Sequence, residues 1–538
     1  MESFAADLAT LVRRPLEPEH VRAMRKVGQI VQFEPGDMVQ EPGAPTALFH
    51  YVIEGELEAV DPMTGDRLGN ATLGPRQFFG DLQFLSGGVS LAGARALEPS
   101  TLLCVPRDKM LGLMSDMPEM SDIIVTVLAA RRRAAMERAD GSLTLIGADQ
   151  SRDLRQVASF AARNRIPFRE VAFGSDEAAV LAERCGIQAG CPGLVFGGAV
   201  KVDPPTPKAL AEVLGYDLDA EEGESFDVLI VGGGPAGVAA AVYAGAEGLS
   251  ALVLEDMAIG GQAGTSSRIE NYMGFPTGIS GGDLVGRGEV QAMKFGTRFS
   301  VPRRVTALRQ CGDRYFHACL DDGYEVNAKA LVVATGVQYR KMPLDGLERF
   351  EGVGVYYAAT EIEARWCKDS EVAVIGGGNS AGQAAMFLAR TTRHVHLLVR
   401  GNGLAETMSD YLLQRLQSHP RITIHLRTEV TELHGEDSLR EITIRDKAAG
   451  QSWTLRTRAL FVMVGAAPNT GWLSGLVALD DKGFVCTGPE VGGGSQFETS
   501  CPGVFAVGDV RAGSVKRVAS AVGEGSVVIS SVWSHVNR

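Results

Sequence analysis

FDVLIVGGGPAGVAAAVYAGAEGLSALVLE, residues 226 to 255, is an apolar strand, a glycine turn, a helix of small residues and a second strand ending in an acid. In this order the parts make a dinucleotide fingerprint, and each position has a physical task. Gly232 permits the tight turn, Gly234 lets the backbone approach a pyrophosphate, and Gly237 lets the helix lie close to the sheet. The helix start presents unpaired amides and its positive dipole end to the phosphates. Glu255 closes the second strand, where a carboxylate can accept hydrogen bonds from an adenosine ribose.

A second copy, EVAVIGGGNSAGQAAMFLARTTRHVHLLVRG, occupies residues 371 to 401. Gly376, Gly378 and Ala381 take the three positions, and Asn379 and Ser380 open the helix. Its second strand ends on Arg400 instead of an acid. A guanidinium there can pair with a 2′-phosphate, which favours NADPH and leaves NADH as the alternative. Two fingerprints imply two dinucleotides, which suits a flavin, FAD, reduced by a nicotinamide. Hydride transfer between them needs positioning and a dry contact, so no catalytic acid or base and no metal site is expected.

The rest of the chain sets limits. At 538 residues it is too long for one core, and about three to five domains are expected. A net charge of -13 gives no attraction to phosphate backbones or anionic lipid, so neither nucleic acid nor a membrane surface is an expected partner. The first twenty residues lack an apolar core with a small-residue cleavage site, and a cytoplasmic location is expected. Val228 to Ala246 carries no charge, yet GGGP interrupts it, so it reads as strand and helix and not as a membrane span. Eight cysteines are scattered with no CxxC, which argues against metal pairs and a disulfide scaffold. Cys185 with Cys191, and Cys311 with Cys319, are expected to be unlinked thiols.

Residues 1 to 138 read as short strands with Gly and Pro turns followed by a helix. EPGAPTALFHYVIEGELEAV and FFGDLQFLSGG in this stretch resemble the cyclic-nucleotide-binding domain family, a β-barrel-like fold. That resemblance places an acid at Asp81, but its phosphate arginine falls on Ser90, and Arg95 belongs to the next strand. A docking role is therefore expected over ordinary nucleotide binding. Residues 142 to 215 read as β, α, β, α, β, β, α, the last two strands forming a hairpin. This order resembles the thioredoxin or glutaredoxin fold, with Pro192 at its cis-proline and DQSR, residues 149 to 152, in place of its CxxC. Dithiol exchange is not expected of it, although Cys191 could form a mixed disulfide. An acidic linker, DLDAEEGESF, follows at 217 to 226.

GGQ at 260 to 262, ENYMGFP at 270 to 276, ATG at 334 to 336, and VFAVGDV leading to KRVASAVGEG at 504 to 525 complete the pattern. Residues 226 to 538 resemble low-molecular-weight thioredoxin reductases. The resemblance implies an α/β architecture of two Rossmann-like domains: an FAD-binding domain in two parts, 226 to 345 and 469 to 538, and an NAD(P)H-binding domain, 346 to 468, inserted between them. Hinges are implied near Leu344 and near Gly465 to Asn469. Also implied are Gln262 and Asn271 as cofactor contacts, Asp509 on the ribityl chain, a helix start at Val518 and Ala519 facing the flavin, and a homodimer. One feature departs from the family: AATE, residues 358 to 361, stands where its redox CxxC should be, and Cys367 is not expected to replace it. The expected activity is FAD-dependent NAD(P)H oxidation with a small-molecule or non-dithiol protein as electron acceptor. Disulfide reduction through other cysteines and a non-catalytic redox sensor are the alternatives.

Overall fold

The computed structural model describes residues 14–538 apart from 61–64, 66, 81, 139–142, 189, 198–199, 217–223, 267, 312–314, 341, 360, 405–407, 437 and 474. Asp81, Thr360 and most of the acidic linker lie outside the described residues, as does the Glu361 side chain.

The N-terminal β-domain is two four-stranded antiparallel sheets. One orders Gln29–Phe33, Ser100–Pro106, Leu48–Glu54 and Phe78–Phe79; the other orders Met38–Gln40, Gly93–Ala96, Leu57–Val60 and Arg67–Leu73. Helices Arg107–Asp116 and Pro118–Arg138 close it by burying Met110, Met114, Met120 and Ile124 against Phe49 and Phe78. Burial of such side chains stabilises by about 1.5 to 3 kcal/mol each.

The next unit runs from Leu143 to Leu214 in the expected βαβαββα order. Phe168–Val171 is parallel to Leu143–Ile146, while Gly193–Phe196 is antiparallel to it and forms the hairpin with Val200–Lys201. Its three helices start where the sequence offers a cap: Ser151, Ser175 and Thr206 accept from the amides of Leu154, Ala178 and Ala209 at 3.3, 3.1 and 3.2 Å. One expectation fails here. Among the described residues the cis peptide bonds are Asp203–Pro204 and Val301–Pro302, so Pro192 is not a cis-proline. It follows Cys191 in a short turn in which the Cys191 N–H donates to the Gln188 carbonyl, and the trans form is the default for such a bond.

Beyond the linker, a seven-stranded sheet runs Arg298–Ser300, Ala251–Leu254, Ser225–Val231, Glu325–Val333, Tyr315–Leu320 and Val305–Cys311, with Val504–Ala506 also paired to Glu325–Val333. Its fingerprint strands are parallel and apolar over residues 228–231 and Ala251–Leu254, as segments covered on both faces must be. A second sheet is entirely parallel, ordered Val355–Tyr356, Leu460–Val462, Glu371–Ile375, His394–Val399 and Ile422–Leu426. A three-stranded antiparallel sheet, Thr428–Gly435, Leu439–Asp446 and Ser452–Arg456, completes this lobe.

The chain crosses between the two lobes twice, and the crossings lie side by side: Val337–Tyr339 pairs antiparallel with Ala466–Pro468. The second crossing falls within Gly465 to Asn469. The first lies ahead of Leu344, because backbone pairing, including Arg340 N–H to the Gly465 carbonyl at 3.0 Å, draws it there. Among the described residues no helix is long and apolar enough to cross a membrane.

Candidate functional site

The first fingerprint folds as its glycines require. Gly232 sits at φ 109°, a conformation open to glycine, at the end of strand Ser225–Val231. A Cβ on Gly237 would lie 1.8 Å from the Gly232 carbonyl oxygen, so helix Pro235–Ala246 can approach the strand only without one. A Cβ on Gly234 would meet nothing within 4 Å. The protein is thus packed tight beneath the turn and open above it, the shape of a cradle for a backbone-bound pyrophosphate. The GGQ segment borders this cradle: Gly260 N–H donates to the Gly233 carbonyl at 2.7 Å.

Glu255 is buried behind the turn and accepts from Gly233 N–H at 2.7 Å and Met257 N–H at 3.1 Å. Burial pushes its carboxyl up to about 7, and the neighbouring Asp256 charge pushes the same way, while the Gly233 hydrogen bond opposes both. A hydroxyl pair donating to it would favour the charged form, which is the chemistry of a ribose. Gln262 donates through its amide to the Val337 carbonyl and so ties the GGQ turn to the first crossing. Asn271 is exposed in the loop before Phe275.

Asp509 lies on the short helix Gly508–Val510 after strand Val504–Ala506, half-buried, with its carboxyl raised by burial and lowered by Lys516. Helix Val518–Val536 begins at Val518, as expected, and its N-terminal amides have no side-chain cap. Sequence reasoning missed Glu524 on this helix. Its carboxylate accepts from Gly508 N–H at 2.7 Å and pairs with Arg511 at 2.6 Å, fixing the turn that carries Asp509. Its signal was present in the quoted KRVASAVGEG, whose only acid it is.

The second fingerprint repeats the geometry more loosely. Gly376 sits at φ 146°, Gly378 caps helix Asn379–Leu388, and Ala381 is fully buried beneath. Ser380 is exposed at the helix start. The Asn379 side-chain oxygen accepts from Ser409 N–H at 2.9 Å, so it fastens the loop ahead of helix Asp410–Ser418. Arg400 is exposed just past strand His394–Val399.

The stretch before this fingerprint holds Ala358 and Ala359, half-buried, and then helix Glu361–Trp366. Cys367 is only 2% exposed, and burial with the Glu363 charge pushes its thiol up to about 12. Among the described residues Cys104, Cys185, Cys191, Cys319, Cys367, Cys486 and Cys501 are free, and no three His, Cys, Asp or Glu gather as for a metal ion.

The family profile for pyridine nucleotide-disulphide oxidoreductases matches residues 226–525, over half of the chain. The chain belongs to this family. A thioredoxin reductase of Treponema pallidum (strain Nichols) is 32% identical over 312 residues, 58% of this chain and 97% of that one. A thioredoxin reductase of Mycolicibacterium smegmatis is 33% identical over 299 residues, 56% of this chain and 93% of that one. The crystal structure of Lactococcus lactis thioredoxin reductase (FR conformation) superposes with a TM-score of 0.53 at 29% identity, covering 58% of this chain and 99% of that one. The pyridine nucleotide-disulphide oxidoreductase core is therefore of thioredoxin-reductase type, with two Rossmann-like domains, and this family uses FAD and NADPH. A profile for the cyclic nucleotide-binding domain matches residues 30–117.

In the β-domain's cassette the two residues considered for the cyclic phosphate are engaged within the protein. Ser90 is buried with its hydroxyl donating to the Ala92 carbonyl at 2.8 Å, and Arg95 is held by Glu58 at 2.8 Å on the adjacent strand. Neither of these two residues offers a free cation to a phosphate. Calorimetry with cyclic AMP and cyclic GMP is expected to show no saturable binding at micromolar concentration; a micromolar isotherm would overturn this account of the cassette.

Proposed function

We propose that the chain is an FAD-dependent NAD(P)H oxidoreductase that passes electrons to a small or non-dithiol acceptor, working as a cytoplasmic homodimer without nucleic-acid or membrane partners. The observation that supports the acceptor is Ala358 and Glu361 in the sequence positions where thioredoxin reductases, which this chain resembles, hold the two cysteines of their CxxC, together with a buried, protonated Cys367. Alanine and glutamate cannot exchange a disulfide, and a thiol at about 12 is not a nucleophile at neutral pH. On this reading residues 226 to 345 and 469 to 538 form the FAD domain, 346 to 468 the NAD(P)H domain, 1 to 138 the docking β-domain, and 142 to 215 a thioredoxin-like module without its cysteines.

In the proposed mechanism Gly232, Gly234, Gly237 and Glu255 hold the FAD pyrophosphate and ribose, with Gln262, Asn271 and Asp509 along the rest of the cofactor. The amides at Val518 and Ala519 favour negative charge at the flavin edge through the helix dipole. Gly376, Gly378, Asn379, Ser380 and Ala381 orient the nicotinamide cofactor, and FAD when bound supplies the two-electron acceptor. The deciding experiment is anaerobic stopped-flow reduction of the flavin by NADPH and NADH, then mixing with a quinone, dioxygen and thioredoxin. Rapid reoxidation by the first two and not the third is expected.

Arg400 decides between the nicotinamides. Arg400→Ala is expected to weaken NADPH by roughly 1 to 3 kcal/mol and NADH by much less, since a charge-assisted phosphate contact is of that size. Binding titrations showing equal losses for both would remove Arg400 from phosphate recognition.

A further inference from the structure

The four-stranded unit, Leu143 to Leu214, is wedged between the two lobes. Its core is continuous with the flavin lobe, since Leu154, Val157 and Phe160 pack with Val238, Ile259, Val285 and Val301. Polar contacts fasten the same side. Arg165 donates to the Gly282 carbonyl at 2.7 Å and pairs with Glu289, Asn164 donates to the Met257 carbonyl at 3.1 Å, and Lys208 lies 3.5 Å from Asp322.

On its other side the unit meets the nicotinamide lobe through Arg155 and through the packing of Trp366 on the unit's core. Arg155 of helix Arg152–Arg163 donates to the Ala148 carbonyl at 3.4 Å and to the Asp149 carbonyl, within the turn that opens that helix. Its guanidinium lies 5.7 Å from the ring centre of Trp366, and its charge acts on the Tyr356 hydroxyl. Tyr356 packs on Phe461 of the second sheet, and Trp366 packs against the cores of both the unit and the nicotinamide lobe.

These contacts have a mechanical meaning. The lobes are otherwise joined covalently by one two-stranded ribbon, Val337–Tyr339 with Ala466–Pro468. Such a ribbon resists stretching but allows bending and twisting about its own line. An attachment away from that line removes the remaining freedom.

Resting on the function proposed above, we propose that Arg155 is a positioning residue for hydride transfer: through Trp366 and Tyr356 it holds the nicotinamide lobe in one orientation against the flavin lobe. Hydride transfer requires the reacting atoms within about 3 to 3.5 Å of each other. A lobe free on its ribbon spends less time there, although its own hold on NADPH is unchanged. Arg155 is not among the residues proposed above to hold either cofactor, so its loss separates rate from affinity.

The test uses full-length Arg155→Ala, Arg155→Lys and Trp366→Phe, the last altering the contact from the opposite lobe with the aromatic ring kept. In Arg155→Ala, hydrogen exchange should quicken in peptides covering 337–339, 361–366 and 466–468. Flavin reduction at saturating NADPH should slow by roughly 3- to 30-fold, the range of a cation–π contact with its hydrogen bonds. The NADPH dissociation constant should stay within about twofold, because the binding residues are untouched. Arg155→Lys should recover part of both losses, since an ammonium keeps a charge near the ring but lacks the planar fork that spans the two carbonyls. Trp366→Phe should give a smaller effect of the same sign. Unchanged exchange at the ribbon, exchange quickened only within 148–163, or an unchanged or faster flavin reduction would each overturn the proposal. If wild-type protein holds FAD but NADPH does not reduce it, the proposed function fails, and the exchange measurement still decides whether Arg155 holds the lobe.

Discussion

Gly234→Val is expected to give a folded protein that has lost its yellow colour. Gly234 has φ -71° and ψ -179°, which any residue adopts, and a Cβ there meets no protein atom within 4 Å. The fold is therefore indifferent to the substitution. The open side is where the pyrophosphate must touch backbone, and a branched side chain displaces it. Bound FAD should fall from about one per chain to less than about a tenth, with circular dichroism unchanged. Gly237→Ala provides the contrast: its methyl would collide with the Gly232 carbonyl at 1.8 Å, so it should lower stability itself, by about 1 to 3 kcal/mol or more. Stoichiometric FAD in Gly234→Val would sink the assignment of the first site.

Thioredoxin is expected to be reduced at under about one hundredth of the rate of flavin reduction, because relay to a disulfide needs two activated thiols side by side. Cys367, pushed up to about 12, holds only on the order of one thiolate in 100,000 at pH 7. Cys191 is half-buried and, among the described residues, forms no disulfide. Replacing all eight cysteines should leave NADPH-driven flavin reduction and turnover with a quinone unchanged within about twofold, provided FAD content is normal. Loss of turnover in a cysteine-free protein that still binds FAD would reveal a thiol relay and put disulfide reduction first.

The sequence was most legible where backbone geometry forces residue choice. Gly232 and Gly237 could be assigned their tasks because no other side chain fits their turn and helix contact, whereas the helix start at Val518 came from the resemblance and agrees with the structure. The βαβαββα unit was legible from its apolar runs, while its caps Ser151, Ser175 and Thr206 were found in the structure. What stayed hidden depends on residues far apart in the chain. Glu524 anchors Gly508, Gln262 reaches Val337, Asn379 is taken up by Ser409, and Arg155 finds Trp366 more than two hundred positions away. A local pattern carries no sign of such pairs. The geometry expected at Pro192 was carried over from a likeness of element order, and a shared order does not dictate the isomer of one peptide bond.

The flavin lobe has an order of assembly imposed by its connectivity. Its strand Val504–Ala506 joins the sheet beside Glu325–Val333, and helix Val518–Val536 packs on Pro235–Ala246. On a ribosome adding about 5 to 20 residues per second, roughly 10 to 35 seconds separate the synthesis of those two paired strands. Throughout that interval the apolar edge at Leu331 to Val333 is made but has no neighbour on that side, while the nicotinamide lobe, contiguous in the chain, can close on itself. On the function proposed above, the newborn protein would acquire its nicotinamide site before its flavin site, and a nascent chain stalled short of residue 504 would expose a sticky strand edge to chaperones and proteases.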